Sequence, residues 1–288
     1  MTFPLRPVAA LTGSLISLCV GTSFAKALFP ALGPVGTTTY RLLFAALLMA
    51  VVMRPWRRNW NLADLPLLGL FGAVLGLMNL LFYSSLKTIP LSLAIALEFS
   101  GPLAVALWGA RRPVDWLWIV LALAGMGLLL PWPGLEQASA LDPAGAAYAL
   151  SGGVCWAGYI VFGQRAARRY GQMTAPMGLM VGALVIAPVG IAQAGAALLD
   201  PGLLLQGIGV GLLASAIPYS LEVYALGRLP KSVFSMLLSM EPAVGALAGW
   251  IILSEQLSAL QMLAVCCVIS AAMGSAWVAG RTATAQAA

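Results

Sequence analysis

The sequence predicts an all-α integral membrane protein, with ten transmembrane helices arranged as two inverted-topology five-helix repeats. Three observations predict it. The chain is 61% hydrophobic and only 8% charged over 288 residues, whereas soluble domains carry about 25% charged residues. Its cations fall in every second gap between apolar runs. And the stretch at residues 89–109 returns 140 positions later, at residues 229–249.

The mean hydropathy of +0.95 exceeds what any soluble core requires. A helix that crosses a bilayer needs roughly 20 mostly apolar residues. Runs of that kind fall at 7–28, 34–53, 64–85, 88–109, 116–132, 144–163, 173–194, 202–225, 231–252 and 258–279. Arg6 followed by the first run has the outline of a signal peptide. Yet that run has a counterpart in the second half of the chain, so we read it as the first span.

Ten spans put both termini on one side. With the N-terminus in the cytoplasm, that side holds Arg6, Arg54, Arg57, Arg58, Arg111, Arg112, Arg165, Arg168, Arg169, Arg228, Lys231 and Arg281, and the outer side holds only Lys87. Twelve against one sets the orientation by the positive-inside rule. The outer gaps carry Glu136, Asp142, Asp200 and Glu255 instead. Trp56, Trp60, Trp116, Trp118 and Trp132 lie near span ends, where indoles favour the interface. The net charge of +6 is thus spread as topology signals and not gathered as a nucleic-acid patch.

The repeat pairs IPLSLAIALEFSGPLAVALWG with LPKSVFSMLLSMEPAVGALAG. Pro90 and Pro102 match Pro230 and Pro242 without a gap. The copies occupy spans 4 and 9, which run in opposite directions, so the halves 1–142 and 143–288 are inverted. Inverted repeats place a substrate site near the midplane, at interrupted helices. Pro102 and Pro242 mark the interruptions. A proline frees the carbonyl four residues back, here those of Glu98 and Leu238. Such a carbonyl is tolerated only against protein or a wet cavity.

Five charged residues fall inside spans: Lys26, Arg41, Glu98, Glu222 and Glu241. A charge at the bilayer centre costs about 2.5–3.5 kcal/mol on insertion scales. Glu98 and Glu241 are central in spans 4 and 9 and lie on neighbouring faces of equivalent helices, so they converge on one cavity. Acids and bases that merely staple helices are the alternative, strongest for Lys26 and Glu222, which sit near span ends. Removal from water favours the protonated form of a carboxylate in general, the property a proton-coupled carrier uses. A cavity holding both signs suits a zwitterion. Tyr83, Phe99, Trp156, Tyr159 and Tyr219 are candidate wall residues. Gly72-x3-Gly76 and Gly245-x3-Gly249 are candidate close approaches between helices.

Several classes are disfavoured. The chain has no histidine, and its four cysteines lie in apolar runs without metal-ligand spacing. No metal, cofactor, nucleotide-binding loop or catalytic constellation is expected. One chain holding both halves is self-sufficient, as a monomer or a homodimer.

SFAKALFPALGP (23–34), FYSSLKTIPLSLAIALEFSGPLAVAL (82–107), RRPVD (111–115), CWAGYIVFGQRA (155–166), IPYSLEVYALGRLP (217–230) and SMEPAVGALAG (239–249) together resemble the EamA family of the drug/metabolite transporter superfamily. The resemblance spans essentially all ten runs. It implies a carrier in the bacterial inner membrane that exports small neutral amino acids such as threonine or homoserine, driven by protons. An EamA-type exporter of another metabolite or drug is the alternative. It does not identify the residues that touch substrate; those above rest on charge and depth.

Overall fold

The computed structural model describes residues 5–58, 60–89, 91–109, 112–129 and 142–238, with scattered positions between 240 and 278. These are helical, with no strand among them. Five helical stretches among the described residues are long and apolar enough to cross a membrane. Large apolar side chains such as Leu47, Val52, Val154, Leu184 and Leu205 are exposed on their outer faces. Hydrocarbon, not water, is the solvent that leaves such faces without penalty.

Helix α1 (Leu5–Lys26) turns at once into α2 (Phe29–Met53). Pro30 opens α2, where its missing N–H costs nothing. The helix is then broken at Gly33 (φ 65°, ψ 175°), a conformation glycine alone adopts without strain, and resumes at Pro34. Next come α3 (Leu65–Ser85), the pair α4 (Leu91–Glu98) and α5 (Ser100–Gly109), and α6 (Pro113–Leu129). The second half begins with α7 (Pro143–Tyr170), which outruns its apolar segment by seven residues, and α8 (Thr174–Ala194). Span 8 is α9 (Pro201–Gly211) and α10 (Ile217–Leu226), joined by a π-helical turn at Leu212–Ala216. Helix α11 (Lys231–Leu238) is the described start of span 9. Spans 9 and 10 otherwise lie largely outside the described residues, as do Pro242 and Gly245-x3-Gly249.

Span 4 is interrupted as expected, although the break is at Phe99 and not at Pro102 itself. The Phe99 N–H still reaches Ile95 O at 2.9 Å and the Leu103 N–H reaches Phe99 O at 3.1 Å. Pro102 has no N–H to offer Glu98 O, so the helix opens where that bond is missing.

The helices pair in a repeating way. Helix α3 lies against α7 and α8, and α2 against α8 and α9. Helices α4 and α5 lie against α7, while α11 lies against α5 and α1, and α1 against α10. Small residues set the closest approaches. A Cβ built on Gly76 of α3 would fall 2.9 Å from Gly182 of α8, so the Gly72-x3-Gly76 pair does bring two helices together. A Cβ on Gly21 of α1 would fall 2.5 Å from Ala214 N in the π turn.

Candidate functional site

The cavity at the centre of the bundle is bounded by α1, α2, α3, α4, α7 and α10, together with Glu241. Its charged lining is Arg41, Glu98, Glu222 and Glu241. All four are buried. Three carboxylates therefore face one guanidinium around a cavity of ≈ 40 Å³. That volume holds a few water molecules.

Arg41 is held by the π turn. Its Nε donates to Ser215 Oγ at 2.7 Å and one terminal nitrogen, Nη2, donates to Ala214 O at 2.6 Å. Pro218, four residues on from Ala214, has no N–H for that carbonyl, so the sequence leaves an acceptor for Arg41 to take. The guanidinium also lies over the Tyr83 ring, 5.2 Å from its centroid. Neither of these two hydrogen bonds uses Nη1.

Glu222 is tied down on both oxygens. Ser14 Oγ donates to Oε1 at 2.8 Å and Tyr159 OH donates to Oε2 at 2.9 Å. Glu241 is not: its buried Oε2 has no hydrogen-bond partner among the described residues. Cys19 of α1, which also lines the cavity, lies with Sγ 4.0 Å from Glu241 O. Glu98, the last residue of α4, enters from the helix break.

The aromatic candidates fall into two layers. Trp156 and Tyr219 line the cavity. Tyr83, Phe99 and Tyr159 stand behind it: Phe99 meets Trp156 edge-on at 6.2 Å, Tyr159 stacks on Phe71 at 5.2 Å, and Tyr83 packs against Phe29 at 5.6 Å. Lys26 does not join this group. It lines a second, open hollow of ≈ 750 Å³ where α1 passes into α2, beside Lys87 and Gln193. The last turn of a helix lets a lysine extend toward the interface, and that reach decides its place.

Asn79 is a cavity-lining polar residue that charge and depth in the sequence do not single out. It lines the cavity from α3, donating Nδ2 to Tyr219 OH at 2.7 Å and to Leu75 O at 2.8 Å. Its signal was legible: a lone amide in the long apolar run LPLLGLFGAVLGLMNLLFYSS. Ser14, Thr22 and Ser215 carried no such signal, since hydroxyls in helices satisfy themselves on the preceding turn.

Named relatives match this chain along most of its length. The threonine/homoserine exporter RhtA of Escherichia coli K12 is 46% identical over 270 residues, covering 93% of this chain and 90% of its own. RhtA of Salmonella typhimurium LT2 matches to the same extent. The EamA-like transporter family matches residues 143–277. The chain belongs to the EamA-like transporter family. The fold of this EamA protein is also that of a solved crystal structure only 19% identical, with a TM-score of 0.66 over 97% of this chain and 99% of the other. An EamA protein is a multi-pass membrane transporter and not an enzyme.

Proposed function

We propose that this EamA protein exports threonine, homoserine and similar small neutral amino acids across the bacterial inner membrane in exchange for protons. The relatives named as threonine/homoserine exporters support the substrate class. The observation that carries the site assignment is the convergence of Glu98, Glu241, Glu222 and Arg41 on one buried cavity.

The chemistry follows from the charges. A zwitterion brings an ammonium to Glu98 and Glu241 and a carboxylate to Arg41. Arg41 is suited to this because its fork presents donors in a plane that matches a carboxylate. Asn79 and Thr22, on the same walls, are the polar groups within reach of a substrate hydroxyl. An excess of buried carboxylates is costly unless cations or protons accompany them. Ammonium and proton are thus alternative occupants of one acidic pair, and alternation between them couples export to proton entry.

The remaining topology is part of the same proposal. Ten spans in two inverted halves, 1–142 and 143–288, place both termini in the cytoplasm. The pairings of α4 and α5 with α7, of α11 with α1, and of α3 with α7 against α1 with α10 support a two-fold relation between halves. A family match that begins at residue 143 supports the boundary. In this orientation Lys26 lies at the outer mouth and meets the substrate carboxylate only on its way out.

Everted membrane vesicles test the reading. With an acid interior, they should accumulate labelled threonine and homoserine, and Glu98→Gln or Glu241→Gln should lower the rate by about tenfold or more, equivalent to roughly 1.4 kcal/mol. Accumulation of unrelated solutes alone would replace the substrate assignment with that of another EamA-type exporter. Uptake indifferent to the imposed pH gradient would remove the proton.

A further inference from the structure

Helix α7 crosses the break between α4 and α5 with two consecutive glycines, Gly152 and Gly153. Glycine is the poorest residue for a helix interior after proline. Neither residue has a positive φ, so backbone freedom does not account for them. Space does.

The two glycines make room for different things. A Cβ on Gly153 would lie 2.6 Å from Glu98 O, the carbonyl that Pro102 leaves without its helical donor, and 2.8 Å from Ser100 Oγ. Reciprocally, a Cβ on Gly101 would strike Gly153 O. Gly153 therefore admits the backbone of the broken helix. A Cβ on Gly152 would instead meet the Glu98 side chain: Oε1 at 2.9 Å, with Cδ and Cγ both at 3.5 Å. Contacts near 2.9 Å are closer than a side chain tolerates, so something must move. Trp156, one turn along the same face of α7, lines the cavity that Glu98 lines.

We propose that Gly152 is a positioning residue for export. The side chain it lacks is the recess that seats the Glu98 carboxylate and sets how far that carboxylate reaches toward the substrate ammonium. The proposal rests on the assignment of Glu98 to substrate binding and adds what holds it in place. A methyl group at position 152 pushes Glu98 Oε1 off its 2.9 Å approach, inside a cavity whose other charged walls are Arg41, Glu222 and Glu241. A carboxylate one methylene shorter withdraws from the same methyl group. Gly152→Ala and Glu98→Asp should therefore each be harmful alone and compensate together.

The test compares wild type, Gly152→Ala, Glu98→Asp and the double variant, purified and reconstituted into liposomes, with KM and maximal rate for threonine measured per folded transporter. Each single change should raise KM by about tenfold, and the double should return to within about threefold of wild type, as coupled neighbours do. A wild-type KM in Gly152→Ala, or a double variant as poor as the product of the singles, overturns the proposal. If Gly152→Ala yields too little folded protein, the double variant decides. Recovery of both folded protein and transport supports the recess, and no recovery overturns it. Glu98→Gln separates the two levels. Normal transport by that variant removes the Glu98 assignment and this inference together, whereas its loss beside an unchanged KM in Gly152→Ala removes only this inference.

Discussion

Glu222 and Glu241 face one cavity and differ in how their oxygens are used. Glu222 accepts from Ser14 on one oxygen and from Tyr159 on the other, so it joins α1, α7 and α10. Glu241 is equally buried and has an oxygen with no donor among the described residues. A buried polar atom left unpaired costs about 1–3 kcal/mol. Under the proposed function, the substrate ammonium or a proton is the partner that offsets this cost. Burial and charge mark both residues as unusual, and hydrogen bonding separates them; under the proposed function Glu222 holds the bundle while Glu241 meets substrate or proton.

The largest expected effect comes from neutralising each carboxylate in turn. Glu241→Gln should reduce transport by about tenfold or more while leaving thermal stability unchanged or higher, because a buried charge is removed. Glu222→Gln should do the reverse, lowering stability by about 1.5–3 kcal/mol as two bonds to a charged group weaken, with a smaller effect on the rate per folded molecule. Melting curves and vesicle transport measured on the same preparations check this. Equal profiles for the two variants would erase the distinction.

A smaller effect sharpens it. Tyr159→Phe takes the donor from Glu222 Oε2 and should cost about 1–3 kcal/mol of stability while transport falls only severalfold. Abolished transport at full stability would move Glu222 into the same class as Glu241.

The smallest effect concerns an acid at the edge of the bundle. Asp142 caps α7 by accepting from Gly145 N at 3.0 Å. The Thr88 hydroxyl, and after it the Gly145 N–H, hold its carboxyl below the usual carboxylate range. A depressed value contributes stability that is complete above the ordinary carboxylate range and fades as pH falls through the lower folded value. Asp142→Asn, still a good cap, should flatten the acid-side slope of melting temperature against pH and leave neutral pH nearly unchanged. An unaltered slope would show that the cap contributes nothing at acid pH.

The elements most legible in the sequence were those with a local cause. Apolar run length placed α1, α3 and α8 within a few residues of their observed ends. Pro102 announced the break in span 4, because a missing N–H acts on the carbonyl four residues back wherever the helix is. The Gly72-x3-Gly76 spacing found its partner helix. Lys26, read as lying near the outer end of span 1, lines a hollow apart from the central charges, because a long side chain in the last turn of a helix reaches toward the interface. The Arg41 anchor was unread although Pro218 leaves the acceptor in plain view. Nothing local says that α2 passes beside that carbonyl.

By itself the amino-acid sequence determined that the chain is a bundle of membrane helices, that spans 4 and 9 contain helix-disrupting prolines, and that a few charges are stranded among apolar residues. Those outcomes depend on solvation and on bonds within a few residues of one helix. Tertiary structure alone decided that Glu98, Glu222, Glu241 and Arg41 meet while Lys26 does not, that Glu222 is already satisfied, and that two glycines of α7 receive the broken helix. Each of these depends on the distance between atoms on different helices, and that distance is set by how small residues let the helices approach, a quantity no single segment contains.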